Sequence, residues 1–208
     1  MPRGSKELTQ ARREEIIAAC AKLYEEKSFK EITLKDIARE TSLTRPSIYN
    51  YFTTKEEIFL ALLRGEYEAW VAELEELRQA ARPGETAAFA EGMARTLERR
   101  QRMLKIMTMN IYDMEANSRA EQLAEMKAAY GASLRAVENC LAAYCPGLGE
   151  AAREEFIYSF FPFVYGIYPY AVVSGKQREA MRAAGVPFRY HGIAELVRTF
   201  ILNYLHAT

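Results

Sequence analysis

Histidine is nearly missing from this chain. Only His191 and His206 occur among 208 residues, both near the C-terminal end. Most of the sequence therefore lacks the commonest general base and metal ligand. No G-x-S-x-G, P-loop or H-E-x-x-H pattern occurs. Carboxylates abound, but on charged helix faces such as 73–76, where solvation is the default. These gaps argue against an enzyme, and no cofactor or metal is expected. Cysteine is sparse too: Cys20, Cys140 and Cys145 form no disulfide framework. Cys20 fits a buried small hydrophobe on an apolar helix face. Cys140 and Cys145 lie five apart near a Pro-Gly break without clustered histidine, which argues against a metal site. Thiol usage of this kind suits a reducing cytoplasm. No apolar run reaches the roughly 18 residues of a membrane span. The N-terminal stretch has no apolar core of a secretory leader. Net charge is absent as well, with 28 Lys and Arg against 28 Asp and Glu. Neutrality weakens sequence-independent attraction to DNA. It disfavours a protein that coats DNA, while leaving room for local basic contacts.

Strand signals, internal repeats and Gly/Ser-rich linkers are also lacking. What remains is helical periodicity nearly end to end, in a chain about half hydrophobic and able to bury a sizeable core. The spacing predicts helices over 9–27, 55–81, 86–100, 102–114, 118–144, 150–174 and 190–206, with short ones after Thr33 and Thr44 and near 176–184. Ile16, Ile17, Cys20, Leu23 and Tyr24 form the first stripe. Pro162 and Pro169 fall inside 150–174 and predict a kink or break there. Ser118 and Glu121 have the spacing of a capping box.

The stretch from Thr33 to Phe59, TLKDIARETSLTRPSIYNYFTTKEEIF, carries most information. Thr33 and Asp36 have capping-box spacing, as do Thr54 and Glu57. Thr44 can cap a short helix whose first turn holds Pro46, where a missing N–H costs nothing. Leu43 and Ile48 serve as plugs between the two short helices. A small exposed helix bearing Arg45, Ser47, Tyr49 and Tyr51 is suited to a groove, as in a helix-turn-helix.

IY-x-YF-x-x-KEEIF at this distance from TLKDIA resembles the TetR family of bacterial transcriptional repressors over about residues 12–63. Beyond that the resemblance is architectural. It implies an all-α fold: an N-terminal three-helix helix-turn-helix DNA-binding domain (1–55) joined by a long helix to a C-terminal helical ligand-binding and dimerisation domain (56–208). Ser28 and Ser42 stand in turns where the family usually has glycine. A positive φ there would cost on the order of 1 kcal/mol.

Arg45 has the fork that matches guanine O6 and N7. Lys35 corresponds to a position that reaches a base edge in the resembled family. Pro46 and Tyr49 suit a thymine methyl or sugar. Thr33, Thr44, Ser47, Tyr51 and Lys55 suit phosphate, Lys55 with help from a helix N-terminus. Asn50 faces either the groove or solvent. Ile193, Leu196, Val197, Phe200, Ile201 and Tyr204 recur at i, i+3, i+4 and, with helix 150–174, are the candidate dimer interface. Two-fold symmetry then implies a near-palindromic double-stranded operator, with recognition helices roughly 34–36 Å apart. Trp70, Phe89, Met103, Met107, Tyr112, Tyr130, Phe161 and Tyr165 are candidate walls of a pocket for an apolar or aromatic effector. Glu66, Glu68 and Glu73 are expected in solvent. The expected function is ligand-released repression by a cytoplasmic homodimer, with no membrane partner. The alternative is a helical protein-interaction module without ligand response.

Overall fold

The computed structural model describes residues 3–109 and 111–207. Among them the regular elements are helices: α1 (Arg3–Glu26), α2 (Leu34–Arg39), α3 (Arg45–Ile48), α4 (Lys55–Gln79), α5 (Thr86–Arg99), α6 (Gln101–Met107), α7 (Ile111–Ala116), α8 (Ala120–Tyr144), α9 (Glu150–Ala171), α10 (Gly175–Ala183) and α11 (Ile193–Ala207). The helix expected over 102–114 is divided. Thr108 closes α6, its hydroxyl donating to the Lys105 carbonyl at 2.8 Å, and α7 begins anew at Ile111. Asn110, inside the expected helix, lies outside the described residues. Pro162 and Pro169 do not break α9. Both lie on its exposed face, so the missing donors are not lost inside the core. No single helix among the described residues is long and apolar enough to cross a membrane.

Contacts divide the chain into two compact units. Unit 1 is Met1–Glu66 with Asn110–Tyr130, and unit 2 is Tyr67–Met109 with Gly131–Thr208. The segment 110–130 thus joins the N-terminal unit, although the sequence placed one boundary at 55/56.

In unit 1, Ile16, Cys20 and Tyr24 of α1 are buried, as are Ile32, Ile37, Ile48, Phe52 and Phe59. Phe59 meets the rings of Tyr24 and Phe29 edge-on at 5.0 and 4.9 Å, a favourable quadrupole geometry. The serine turns carry no strain, because no non-glycine residue among those described has positive φ. Side chains close these turns instead. The Ser28 amide and hydroxyl donate to Glu31 at 2.8 and 2.6 Å. The Ser42 amide donates to Glu15, and its hydroxyl oxygen accepts from Arg12.

In unit 2, α5 packs along α11, and α9 packs on α6 and α11. Trp70, Phe89, Phe156 and Phe160 are fully buried. The Trp70 indole N–H donates to Thr96 Oγ1 at 3.0 Å, and that hydroxyl donates to the Met93 carbonyl at 2.9 Å. Thr96→Val would keep the shape and strand a buried indole donor. A loss of about 1–3 kcal/mol in unfolding free energy is expected from urea titration, whereas an unchanged midpoint would count against this chain of bonds. Cys140 is buried, its thiol donates to the Leu74 carbonyl at 3.0 Å, and burial pushes its pKa up to about 12. Such a thiol is inert at neutral pH.

Candidate nucleic-acid interface

Local chemistry sets the two short helices. The Thr33 hydroxyl oxygen accepts from the Asp36 amide (3.2 Å), while the Thr33 amide donates to Asp36 Oδ2 (3.0 Å). This reciprocal cap starts α2. The Asp36 carboxyl is held below its ordinary range by the Thr33 hydroxyl and amide. Thr44 caps α3: its hydroxyl accepts from the Ser47 amide at 3.4 Å and pairs with the Ser47 hydroxyl at 2.8 Å. Pro46 sits in the first turn, and Ile48 is the buried plug while Leu43 is half-buried.

The remaining face of α3 looks outward. Arg45, Pro46, Tyr49 and Asn50 are exposed, while Ser47 and Tyr51 are half-buried. Arg45 Nη2 donates to the Tyr49 hydroxyl oxygen at 3.3 Å, one helical turn along. The pair stiffens the guanidinium without burying it. Beside it lies a groove of about 520 Å³ whose lining includes Lys30, Lys35, Arg45 and Lys55, with the hydroxyls of Thr33 and Thr54. Glu56 is the only carboxylate in that lining. A neutral chain thus concentrates cations at the helix-turn-helix. Lys30 was not singled out from the sequence. It lies in the turn before α2, and its only sequence signal is a positive charge in that turn.

Lys55 has work inside the unit. Its ammonium donates to the Phe29 and Ile32 carbonyls at 2.8 and 3.1 Å and lies 4.1 Å from the Phe29 ring centroid. These contacts pin the turn before α2 to the start of α4. Lys55→Ala is therefore expected to lower unfolding free energy by about 1–2 kcal/mol as well as weaken binding to duplexes. A variant with wild-type thermal stability would show that the pinning contributes nothing.

Glu57 also departs from its simple capping role. The Glu57 amide donates to Thr54 Oγ1 (3.3 Å), but the carboxylate accepts from the Thr53 amide (2.8 Å). The same fully buried carboxylate accepts from the Arg119 amide (3.0 Å), Nε (2.7 Å) and Nη2 (2.8 Å). Ser118 does not cap α8 as its spacing predicts, because the helix begins at Ala120 and leaves Ser118 one position short of the cap. Its buried hydroxyl has no hydrogen-bond partner among the described residues. Burial pushes the Glu57 pKa up, but hydrogen bonds from Arg119 and Thr53 outweigh it and leave the carboxyl below its ordinary value of 4.5. A depressed folded pKa stabilises the fold above the unfolded value and loses that effect as pH falls through the folded one. The stability gap between wild type and Glu57→Gln is thus expected to be widest at neutral pH and to shrink below pH 4.5, by chemical denaturation across that range. A gap independent of pH would contradict the assignment.

The candidate effector residues fall in both units. Trp70, Phe89, Met103, Met107 and Phe161 are buried in unit 2, where Tyr165 meets the Tyr67 hydroxyl at 3.3 Å. Tyr112 is 78 % exposed and lies in unit 1, as does Tyr130. Tyr112 belongs to the separate short helix α7, not to the helix of Met103 and Met107. Glu66 is buried rather than solvated, Glu68 is exposed, and Glu73 pairs with Arg99 (2.9 Å) and Arg100. Unit 2 also carries an apolar surface cavity of about 290 Å³ between α9 and residues 188–196, lined by Phe163, Gly166, Tyr170, Phe188 and Leu196 among others.

The candidate dimer residues separate into two stripes. Ile193, Val197 and Ile201 are buried in their own protomer, because α11 turns that stripe toward α5. Buried there, they offer no surface to a second copy, contrary to the expected interface. Leu196, Phe200 and Tyr204 remain half-buried. Phe200 stacks on Phe163 with centroids 4.3 Å apart. On α9, Tyr158, Pro162, Gly166 and Tyr170 stand four residues apart and are all exposed.

Residues 16–62 match the model of bacterial regulatory proteins of the tetR family, and residues 64–202 match the tetracyclin repressor-like C-terminal domain. The HTH-type transcriptional regulator EthR of Mycolicibacterium smegmatis is 40 % identical over 48 residues, 23 % of this chain and 22 % of that protein. An uncharacterized HTH-type transcriptional regulator of Bacillus subtilis, YfiR, is 32 % identical over 62 residues, 30 % of each chain. The matched stretches thus span less than a third of either relative. The crystal structure of PfmR, a TetR family regulator from Thermus thermophilus, superposes with a TM-score of 0.57 at 20 % identity, over 91 % of this chain and 93 % of that one. A Clostridium perfringens protein described as a putative fatty acid metabolism regulator gives 0.56 at 13 % identity, over 93 % and 98 %. At these identities the two structures speak to fold alone.

Proposed function

The chain belongs to the tetR family of bacterial transcriptional regulators, which bind DNA and are not enzymes, and from that premise we propose that it is a cytoplasmic homodimeric repressor of a near-palindromic operator. The observation that carries this reading is the cationic groove around α3, with Arg45 exposed beside Lys35 and Lys30. Arg45 reads a guanine edge. Lys35 reaches an adjacent base edge, and Pro46 and Tyr49 give apolar contact. Thr33, Thr44, Ser47, Tyr51 and Lys55 serve the phosphates, with the Lys55 ammonium shared between that task and the Phe29 turn. Asn50, being exposed, is free to approach the duplex.

One four-residue helix covers few base pairs, so selectivity comes from pairing. The partner surface is the α9 stripe of Tyr158, Pro162, Gly166 and Tyr170, together with Leu196, Phe200 and Tyr204 of α11. An isologous contact of this face with its copy covers apolar area that water otherwise meets. A small apolar or aromatic effector, received among the Met-rich and aromatic helices of unit 2, releases the operator by favouring a form that does not bind it. The test is selection of bound duplexes from the source genome. Recovery of a two-fold related sequence, with affinity that falls with salt, is expected. Recovery of random fragments, or no retention at all, would rule the reading out.

A further inference from the structure

Resting on that DNA-reading assignment, we propose that Arg119 is a positioning residue for operator recognition: its grip on Glu57 sets where the recognition helix α3 stands. Arg119 lies sixty-two positions from Glu57 in sequence, yet it donates three hydrogen bonds to that carboxylate, one from the amide and two from the guanidinium. The geometry is the side-on fork that fixes both partners in direction as well as distance. Glu57 in turn holds the Thr53 amide, in the link between α3 and α4. A line of directional bonds therefore runs from the start of α8, through one fully buried carboxylate, to the backbone that follows α3.

Neighbouring contacts make this a docked surface rather than one isolated pair. The Thr54 hydroxyl donates to the Asn117 carbonyl at 2.8 Å. Arg13 Nη2 donates to Gln122 at 2.9 Å, while its guanidinium lies 4.5 Å from the Phe52 ring centroid. Arg64 pairs with Glu125. The Glu57 carboxylate also accepts the Arg119 amide, at the start of α8. A cap from the distant Glu57 makes the start of α8 answer to α4. The α8 helix itself continues unbroken to Tyr144, well past the last residue it lends to unit 1, Tyr130.

The test compares affinities of the full chain for a selected operator duplex and for a scrambled duplex of equal length, by fluorescence anisotropy well below the melting temperature. Arg119→Ala is expected to lower operator affinity at least tenfold while scrambled-duplex affinity stays within twofold. Arg119→Lys keeps the cation and the backbone amide but loses the fork; it is expected to lose about threefold, and it decides the matter if Arg119→Ala does not fold. Operator affinity within twofold of wild type in both variants would overturn the proposal, as would an equal fall for both duplexes. Arg45→Ala is the separating control: if it too leaves operator preference intact, the DNA-reading assignment itself has failed.

Discussion

Gly166→Arg is expected to yield a folded monomer whose operator affinity is about 10²–10⁴-fold weaker than that of wild type. The protomer should tolerate the change, because a Cβ at Gly166 meets no atom within 4 Å and arginine is a good helix former. The damage falls on the paired state. Gly166 lies between Pro162 and Tyr170 on the exposed stripe of α9, where Tyr158 is 73 % and Tyr170 61 % exposed. It also lines the apolar cavity beside Arg189 and His191. Two-fold symmetry would bring each new guanidinium and its copy to the same apolar face, with Arg189 of both chains nearby and the neighbouring carboxylate, Glu195, already paired with His191 at 2.7 Å. Sedimentation and operator titration check this together. A dimer that persists with wild-type affinity would move the interface elsewhere.

Arg45→Ala is expected to cost roughly 1–3 kcal/mol at each half-site, hence roughly 2–6 kcal/mol for the pair, and to relax preference at one base position per half-site. The fold should not suffer, since Arg45 is exposed and its one side-chain bond is to Tyr49 at 3.3 Å. Lys35→Ala is the useful companion. A loss of affinity without loss of preference there would reassign Lys35 to phosphate. Unchanged base preference in Arg45→Ala would remove Arg45 from base reading.

How much of this was legible in the sequence depends on the range of each interaction. Thr33 with Asp36 and Thr44 with Ser47 act over three residues, so the caps of α2 and α3 could be read directly. The all-helical fold followed from periodicity in the same way. Ser118 shows the limit. Its spacing to Glu121 has the form of a cap, but α8 begins at Ala120, one residue too late for it, and no local pattern announces Glu57 as the acceptor of the Arg119 amide. The docking of 110–130 on the N-terminal unit was hidden for the same reason. The α11 stripes show a second limit. Leu196, Phe200 and Tyr204 each follow Ile193, Val197 and Ile201 by three residues, about 60° round the helix, and periodicity cannot say which stripe meets α5. Lys55 shows a third, because a lysine at a helix start suits a phosphate and a neighbouring carbonyl equally well.

The central claim is a pair of chains presenting two α3 helices to one side of a duplex. Hydroxyl-radical footprinting of the selected operator, with the mass of the same complex measured in solution, tests it most directly. Two chains per duplex and two protected patches on one face, roughly 34–36 Å apart or a multiple of that, are expected. One chain per duplex with a single patch, or unbroken protection around the helix, would contradict it.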